Sequence, residues 1–213
     1  MNSYIPKVAK IIDLIKHTEK EWTFRVECDT KNVLPGKFFE ISMPKYGESP
    51  ISVSGYGEDY IDFTIRNVGK VTSEICKYRE GDSLLIRGPY GNGLNLENYI
   101  VRELTVVTDG NALAPVRGIV EYVYQNPNKF NNFNLIVGFR TINDALFKDD
   151  LKRWTEKLNV IVTVDKETEG YDGFVGLVTK YIPDLKIEDV DNFSCAVVGP
   201  PMMMKFTVGE FLK

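Results

Sequence analysis

Near residue 100 the chain changes its hydrophobic period, and that change restricts the fold more than any other feature. Before it, short segments alternate apolar and polar side chains with the period of half-buried strands. They are Trp22–Cys28, Phe38–Met43, Tyr60–Arg66 and Ser83–Arg87. Turn-forming stretches separate them, at Leu34–Gly36, Tyr46–Pro50, Gly55–Gly57 and Arg79–Asp82. Only Val71–Tyr78 reads as a helix in this half. Many short strands at regular spacing predict a closed barrel or a sandwich. After Asn98 the grammar is different. Glu103–Thr108 is continuously apolar enough to be covered on both faces, and a helix follows from about Pro115 to Gln125. Strands are then expected at Asn134–Gly138, Leu158–Val164 and Phe193–Gly199, the last leading into a helix over Met202–Lys213. Strand–helix alternation predicts a parallel sheet with right-handed crossovers. The fold class expected is therefore β followed by α/β: an antiparallel barrel over residues 1–98, then a parallel, Rossmann-like sheet over 99–213.

Charge and cysteine usage exclude several functions. Residues 1–100 carry 13 Lys+Arg against 14 Asp+Glu, and residues 101–213 carry 13 against 16. Neither half offers the basic face that nucleic acid requires. No apolar run is long enough to cross a bilayer and the start lacks a signal-peptide stretch, so a soluble, cytoplasmic protein is expected. Cys28, Cys76 and Cys195 are too far apart to form a C-x₂-C metal motif, and their odd number suits a reducing compartment. His17, the single histidine, lies in a charged stretch and reads as plain surface. With it go the histidine-based metal sites and a Ser-His-Asp triad.

The loops at the carboxyl ends of parallel strands are where ligands bind in such sheets. The first, Thr108-Asp109-Gly110-Asn111-Ala112-Leu113-Ala114-Pro115, reads either as an ordinary turn or as one that aims helix amides at a phosphate. The last, Gly199-Pro200-Pro201-Met202, is either a strand-to-helix turn or a rigid corner with room for a planar ligand. Asp165 ends a strand, near the site or simply exposed. Met202–Met204 open a helix that either docks a partner or faces the core. In the first half, Ser49-Pro50-Ile51-Ser52 is an edge strand or a strand whose hydroxyls meet a polar ring or phosphate. Thr64-Ile65-Arg66 runs through Gly69 into Lys70-Val71-Thr72, placing two cations and a helix start together as a candidate anion pocket. Gly88-Pro89-Tyr90-Gly91 closes the half.

In this order and spacing these motifs resemble the ferredoxin–NAD(P)⁺ reductase-like flavoproteins, over nearly the whole chain. The matching segments are Pro35-Gly36-Lys37-Phe38, Ser49–Ser52, Gly69–Thr72, Gly88–Gly91, Gly110–Pro115 and Val198–Met202. The stretch 198–208 is most similar to the B subunits of anaerobic sulfite reductases, with the electron-transfer subunits of dihydroorotate dehydrogenase as relatives. The resemblance implies FAD and NAD(H) as cofactors. It implies flavin contacts at Ser49, Pro50, Ile51, Ser52, Thr64, Ile65, Arg66, Gly69, Lys70, Val71 and Thr72. It implies nucleotide contacts at Gly110, Asn111, Ala114, Pro115, Gly199, Pro200, Pro201 and Met202. Hydride transfer from nicotinamide to flavin needs no acid or base from the protein, so no catalytic side chain is assigned. The implied activity is oxidation of NADH with electrons passed to partner subunits of a reductase complex, a sulfite-reducing catalytic subunit and a ferredoxin-like subunit. Two alternatives are a role with dihydroorotate dehydrogenase and a flavin-binding interaction protein with impaired nucleotide turnover.

Three departures accompany the resemblance. Ser49 stands where the family has arginine, and Asp109-Gly110-Asn111-Ala112 stands where it has Gly-Gly-x-Gly. A carboxylate at 109 directed at a pyrophosphate would repel it by about 1 kcal/mol. The family continues into a last strand and a four-cysteine [2Fe–2S] segment, and no ligands for that cluster occur in this chain.

Overall fold

The computed structural model describes residues 4–167 and 169–213. Its internal contacts divide the chain between Leu94 and Asn95 into two units. The first is a closed antiparallel barrel of six strands in the order β1-β2-β5-β4-β3-β6. These are β1 (Lys7–Lys16), β2 (Glu21–Glu27), β3 (Phe38–Met43), β4 (Gly47–Tyr56), β5 (Tyr60–Arg66) and β6 (Ser83–Tyr90), with helix α1 (Lys70–Ile75) between the last two. Alternation directs Phe24 and Val26 of β2 against Phe63 and Ile61 of β5, and all four are fully buried. The polar residues between them face the other way as pairs in register: Glu21 with Arg66, Thr23 with Thr64, Arg25 with Asp62.

Several sequence expectations change here. Strand β1 went unread because its apolar residues do not alternate cleanly. A bulge between Ile11 and Asp13 inserts Ile12 as an extra residue and shifts the register, which breaks the alternation of apolar positions. Residues 47–50 are strand rather than turn; the reversal lies before Gly47, where Lys45 and Gly47 both take positive φ. Gly55 and Tyr56 also belong to β4. Pro50 is accommodated because β4 pairs only with β3 over residues 47–52 and meets β5 from Val53 onward. Residues 49–52 are thus paired on one side only, as an edge reading expects, while Val53 onward is paired on to β5 in the closed barrel. Helix α1 stops at Ile75, short of the expected Tyr78. There the Arg79 guanidinium takes up the carbonyls of Cys76 and Tyr78.

The second unit is a parallel five-stranded sheet in the order β10-β9-β8-β7-β11. Its strands are β7 (Glu103–Asp109), β8 (Asn132–Phe139), β9 (Asn159–Val164), β10 (Phe174–Val175) and β11 (Phe193–Val198). Its helices are α2 (Leu113–Gln125), α3 (Lys148–Trp154) and α4 (Pro201–Phe211). Six of the seven residues of β7 are buried, as the apolar run predicts. Helix α2 buries Leu113, Val116, Ile119, Val120 and Val123, one stripe at helical spacing. Between β9 and β11 the described residues form no α-helix. The short strand β10 and a 3₁₀ turn at Val178–Tyr181 follow, and Val178, Tyr181 and Ile182 pack with Val107, Ile136 and Ile161 in one cluster. No helix among the described residues is long and apolar enough to cross a membrane.

Candidate functional site

In the barrel, β4 begins and β5 ends at the same end, and α1 starts there. Strand polarity thus gathers Ser49–Ser52, Thr64–Arg66 and Gly69–Thr72 at one end. A Cβ added to Gly47 would lie 3.7 Å from a Val71 methyl, so α1 leans on the start of β4. The side chains of this group divide between two tasks. Ile65 is fully buried, and Ile51 and Val71 pack against the barrel core, leaving mainly their backbones to a ligand. Pro50, Arg66, Gly69 and Lys70 are exposed, while Ser49, Ser52 and Thr64 are half-buried. Among the described residues the hydroxyl of Ser52 has no hydrogen-bond partner. A Cβ at Gly69 would meet nothing within 4 Å, so the approach to α1 is open.

Two of these residues are already engaged. Arg66 Nη1 lies 2.9 Å from Oε1 of Glu21, its partner across the β2–β5 ladder; the Glu21 side chain is 8 % exposed. The Thr18 hydroxyl donates to the other carboxylate oxygen. Arg66 is thereby aimed by a buried counter-charge that sequence reading did not single out, since the pairing follows from register alone. Thr72 Oγ1 accepts the N–H groups of Val68 and Gly69, at 3.1 and 3.0 Å, and donates to the Gly69 carbonyl at 3.1 Å. Its hydroxyl holds the shape of the loop before α1, and the surfaces left to an anion are that loop and the exposed Lys70.

His17, expected as plain surface, is half-buried, and its Nε2 lies 2.7 Å from Oγ1 of Thr23. The β1–β2 hairpin folds its ring back over a threonine only 2 % exposed, a contact that the surrounding charged residues conceal in the sequence.

In the sheet unit, β8 lies on one side of β7 and β11 on the other, so the strand order reverses at β7/β11. A crevice outside the carboxyl ends of strands at such a reversal is where ligands bind in doubly wound sheets. The two loops there are 109–114 and 199–202. They touch: a Cβ on Gly199 would stand 3.6 Å from the Asp109 backbone nitrogen and 2.7 Å from Met203 Cε. Gly110 lies against Phe139, where a Cβ would be only 2.3 Å from the ring. Both glycines therefore let backbone and neighbouring side chains approach closely at the strand ends.

Asp109 does not simply point outward. Its Oδ1 accepts the Ala112 N–H at 2.8 Å, at the start of α2, where Ala112 has no capping side chain of its own. Pro115 sits in the first turn of α2 and Ala114 is buried, whereas Asn111, Pro200 and Pro201 are exposed. Met202 is 60 % exposed; Met203 and Met204 are half-buried, and it is Met203 that joins the core cluster. Asp165 is exposed after β9. Among the described residues no three His, Cys, Asp or Glu side chains are grouped so as to hold a metal.

Comparison with known proteins accords with this geometry. Residues 106–209 match the family described as the oxidoreductase NAD-binding domain. The chain is 31 % identical to the gamma subunit of sulfhydrogenase 2 of Pyrococcus furiosus, an alignment spanning 100 % of this chain and 80 % of that one. It is 28 % identical to the probable electron transfer subunit of dihydroorotate dehydrogenase B (NAD⁺) of Thermoplasma volcanium, over 96 % of this chain and 72 % of that one. Among solved structures, an NADH-dependent reduced ferredoxin–NADP oxidoreductase superposes with a TM-score of 0.78 at 26 % identity, over 97 % of this chain and 73 % of that one.

Proposed function

Because the chain belongs to the ferredoxin–NAD(P)⁺ reductase-like oxidoreductases and carries their NAD-binding domain, we propose that it is a flavin-dependent electron-transfer subunit that oxidises NADH. The observation that carries this reading is the meeting of Gly199 with the Asp109 backbone at the β7/β11 reversal. It brings the two glycine-bearing loops together at the strand ends, where a nicotinamide would lie. The barrel residues fit a flavin in the same sense. Arg66 and Lys70 would supply positive charge for its phosphates, Gly69 leaves the start of α1 uncovered, and the Ser52 hydroxyl, without a partner among the described residues, would meet the ring edge.

When bound, the two cofactors supply the hydride donor and acceptor, and the protein contributes orientation and exclusion of water. Thr72 keeps the 67–69 loop in shape and Glu21 keeps Arg66 directed. Gly110, Asn111, Ala114, Pro115 and the 199–202 corner would hold the nucleotide. The partners that the 198–208 stretch points to are a sulfite-reducing catalytic subunit and a ferredoxin-like subunit. The names of the relatives, a sulfhydrogenase and a dihydroorotate dehydrogenase, support membership of a multi-subunit complex with another acceptor equally.

The deciding experiment is an absorbance spectrum of the purified protein before and after anaerobic NADH. A flavin band that bleaches on NADH addition is expected. A protein that takes up neither FAD nor FMN, or whose flavin NADH leaves oxidised, overturns the reading.

A further inference from the structure

From the β1–β2 turn across β2 and β5 to β4, four side chains form one continuous hydrogen-bonded chain. His17 Nε2 is 2.7 Å from Thr23 Oγ1, which is 2.8 Å from Thr64 Oγ1. Thr64 Oγ1 is 2.8 Å from Ser54 Oγ, and Ser54 Oγ is 3.1 Å from the Asp62 carbonyl. Ser54 is fully buried and Thr23 is 2 % exposed. In such positions water does not substitute for a missing partner, and an unpaired hydroxyl is costly.

The direction of every bond in this chain follows from its last member. A carbonyl has no hydrogen, so Ser54 donates to Asp62. Each hydroxyl has only one proton to give. Ser54 therefore accepts from Thr64, Thr64 accepts from Thr23, and Thr23 accepts from His17. The imidazole must carry its hydrogen on Nε2, whether the ring is neutral or protonated. Thr64, at the half-buried end of β5 two residues before Arg66, has one lone pair left and no hydrogen. It can meet a ligand only as an acceptor.

We infer that His17 is a positioning residue that fixes the Thr64 hydroxyl as an acceptor for the ring N–H of the flavin. This rests on the flavin reading above. An oxidised isoalloxazine presents a single ring N–H among several acceptor atoms, so an acceptor-only hydroxyl distinguishes one edge of the ring from the rest. A hydroxyl free to rotate would accept either edge. His17 thus acts at a distance of two hydroxyls, through bond polarity.

Two measurements on the full chain test the inference. The first is ¹⁵N NMR of the His17 ring in the flavin-free protein, where the Nε2–H tautomer is expected for the neutral form. The second is FAD affinity and the visible spectrum of bound flavin in H17Q, H17M and T64V. H17Q, which keeps an N–H donor, should bind within about twofold of wild type. H17M, of similar size without a donor, should weaken binding about five- to tenfold and shift the flavin band. H17M combined with T64V should be no weaker than T64V alone, because both act through the same hydroxyl. The Nδ1–H tautomer, or an H17M protein that binds FAD with unchanged affinity and spectrum, overturns the inference while the flavin reading stands. A chain that shows the Nε2–H tautomer yet takes up no flavin overturns the flavin reading, and with it the role given to Thr64.

Discussion

The carboxylate of Asp109 accepts the backbone N–H of Ala112 at 2.8 Å, so the sheet unit already places a negative charge at the amino end of α2. That end is where a dinucleotide pyrophosphate is received in sheets of this kind. Asp109 stabilises the helix start, and in the proposed reading it would disfavour a phosphate in the same position. Substituting Asn keeps an oxygen for the Ala112 amide and removes the charge. D109N should bind NADH about fivefold more tightly than wild type with nearly unchanged stability, reflecting about 1 kcal/mol of like-charge repulsion. D109A should lose about 1 kcal/mol of stability through the missing cap. Titration calorimetry with NADH and thermal unfolding separate the two effects; equal affinity in D109N and wild type would show that the carboxylate does not oppose the nucleotide.

Gly110 is required by space. A methyl group there would approach the Phe139 ring to 2.3 Å and the Gly138 carbonyl to 3.3 Å, and Phe139 is only 4 % exposed. G110A should destabilise the protein by about 1–3 kcal/mol. Pairing it with F139L should recover part of that loss. Urea denaturation of the single and double variants checks this, and a double variant no more stable than G110A would place the conflict elsewhere.

The α2–α3 contact is organised around Glu121. Its carboxylate accepts from Arg153, from the fully buried Trp154 indole at 3.1 Å and from Gln125 at 2.9 Å. Burial pushes this carboxyl up, yet the hydrogen bonds from Arg153, Trp154 and Gln125 outweigh it and hold it below its ordinary value of 4.5. The stabilisation this supplies is complete above that ordinary value and disappears as pH falls through the lower folded value. W154A should cost about 3–5 kcal/mol at neutral pH. E121Q should be less stable than wild type at pH 7, with the difference narrowing as the solution is acidified. Urea midpoints measured from pH 7 to pH 3 test both, and a constant E121Q deficit would contradict the assignment.

On the barrel, Glu48 takes hydrogen bonds from Arg87 and Ser42, and together these hold its carboxyl down at about 2. Carbon-detected NMR titration should find Glu48 still charged at pH 3, where an ordinary glutamate has largely taken up a proton. In R87A its midpoint should return towards the ordinary range. An unshifted midpoint in the wild-type protein would show that the Arg87 pair does not persist in solution.

Much of this arrangement is legible in one dimension. The runs Trp22–Cys28 and Tyr60–Arg66 alternate strictly and become β2 and β5, and the apolar run 103–108 becomes the buried β7. The glycine and proline loops at 110–115 and 199–202 fall at the strand ends because Gly and Pro bear on backbone geometry directly. Strand β1 is not legible in this way because a bulge breaks its alternation. The helix expected to end at Tyr78 stops at Ile75, and beyond it the Arg79 side chain takes the Cys76 and Tyr78 carbonyls, a contact that apolar periodicity does not record.

The sequence by itself determined the two halves, most strand positions and the residue types around the loops, since those depend on local period and backbone preference. The tertiary structure alone decided which polar groups meet. Glu21 opposite Arg66, Thr23 opposite Thr64, His17 over Thr23 and Asp109 on the Ala112 amide all depend on register and chain reversal. A hydrogen bond is satisfied over a few tenths of an ångström, and composition carries no record of a distance that small.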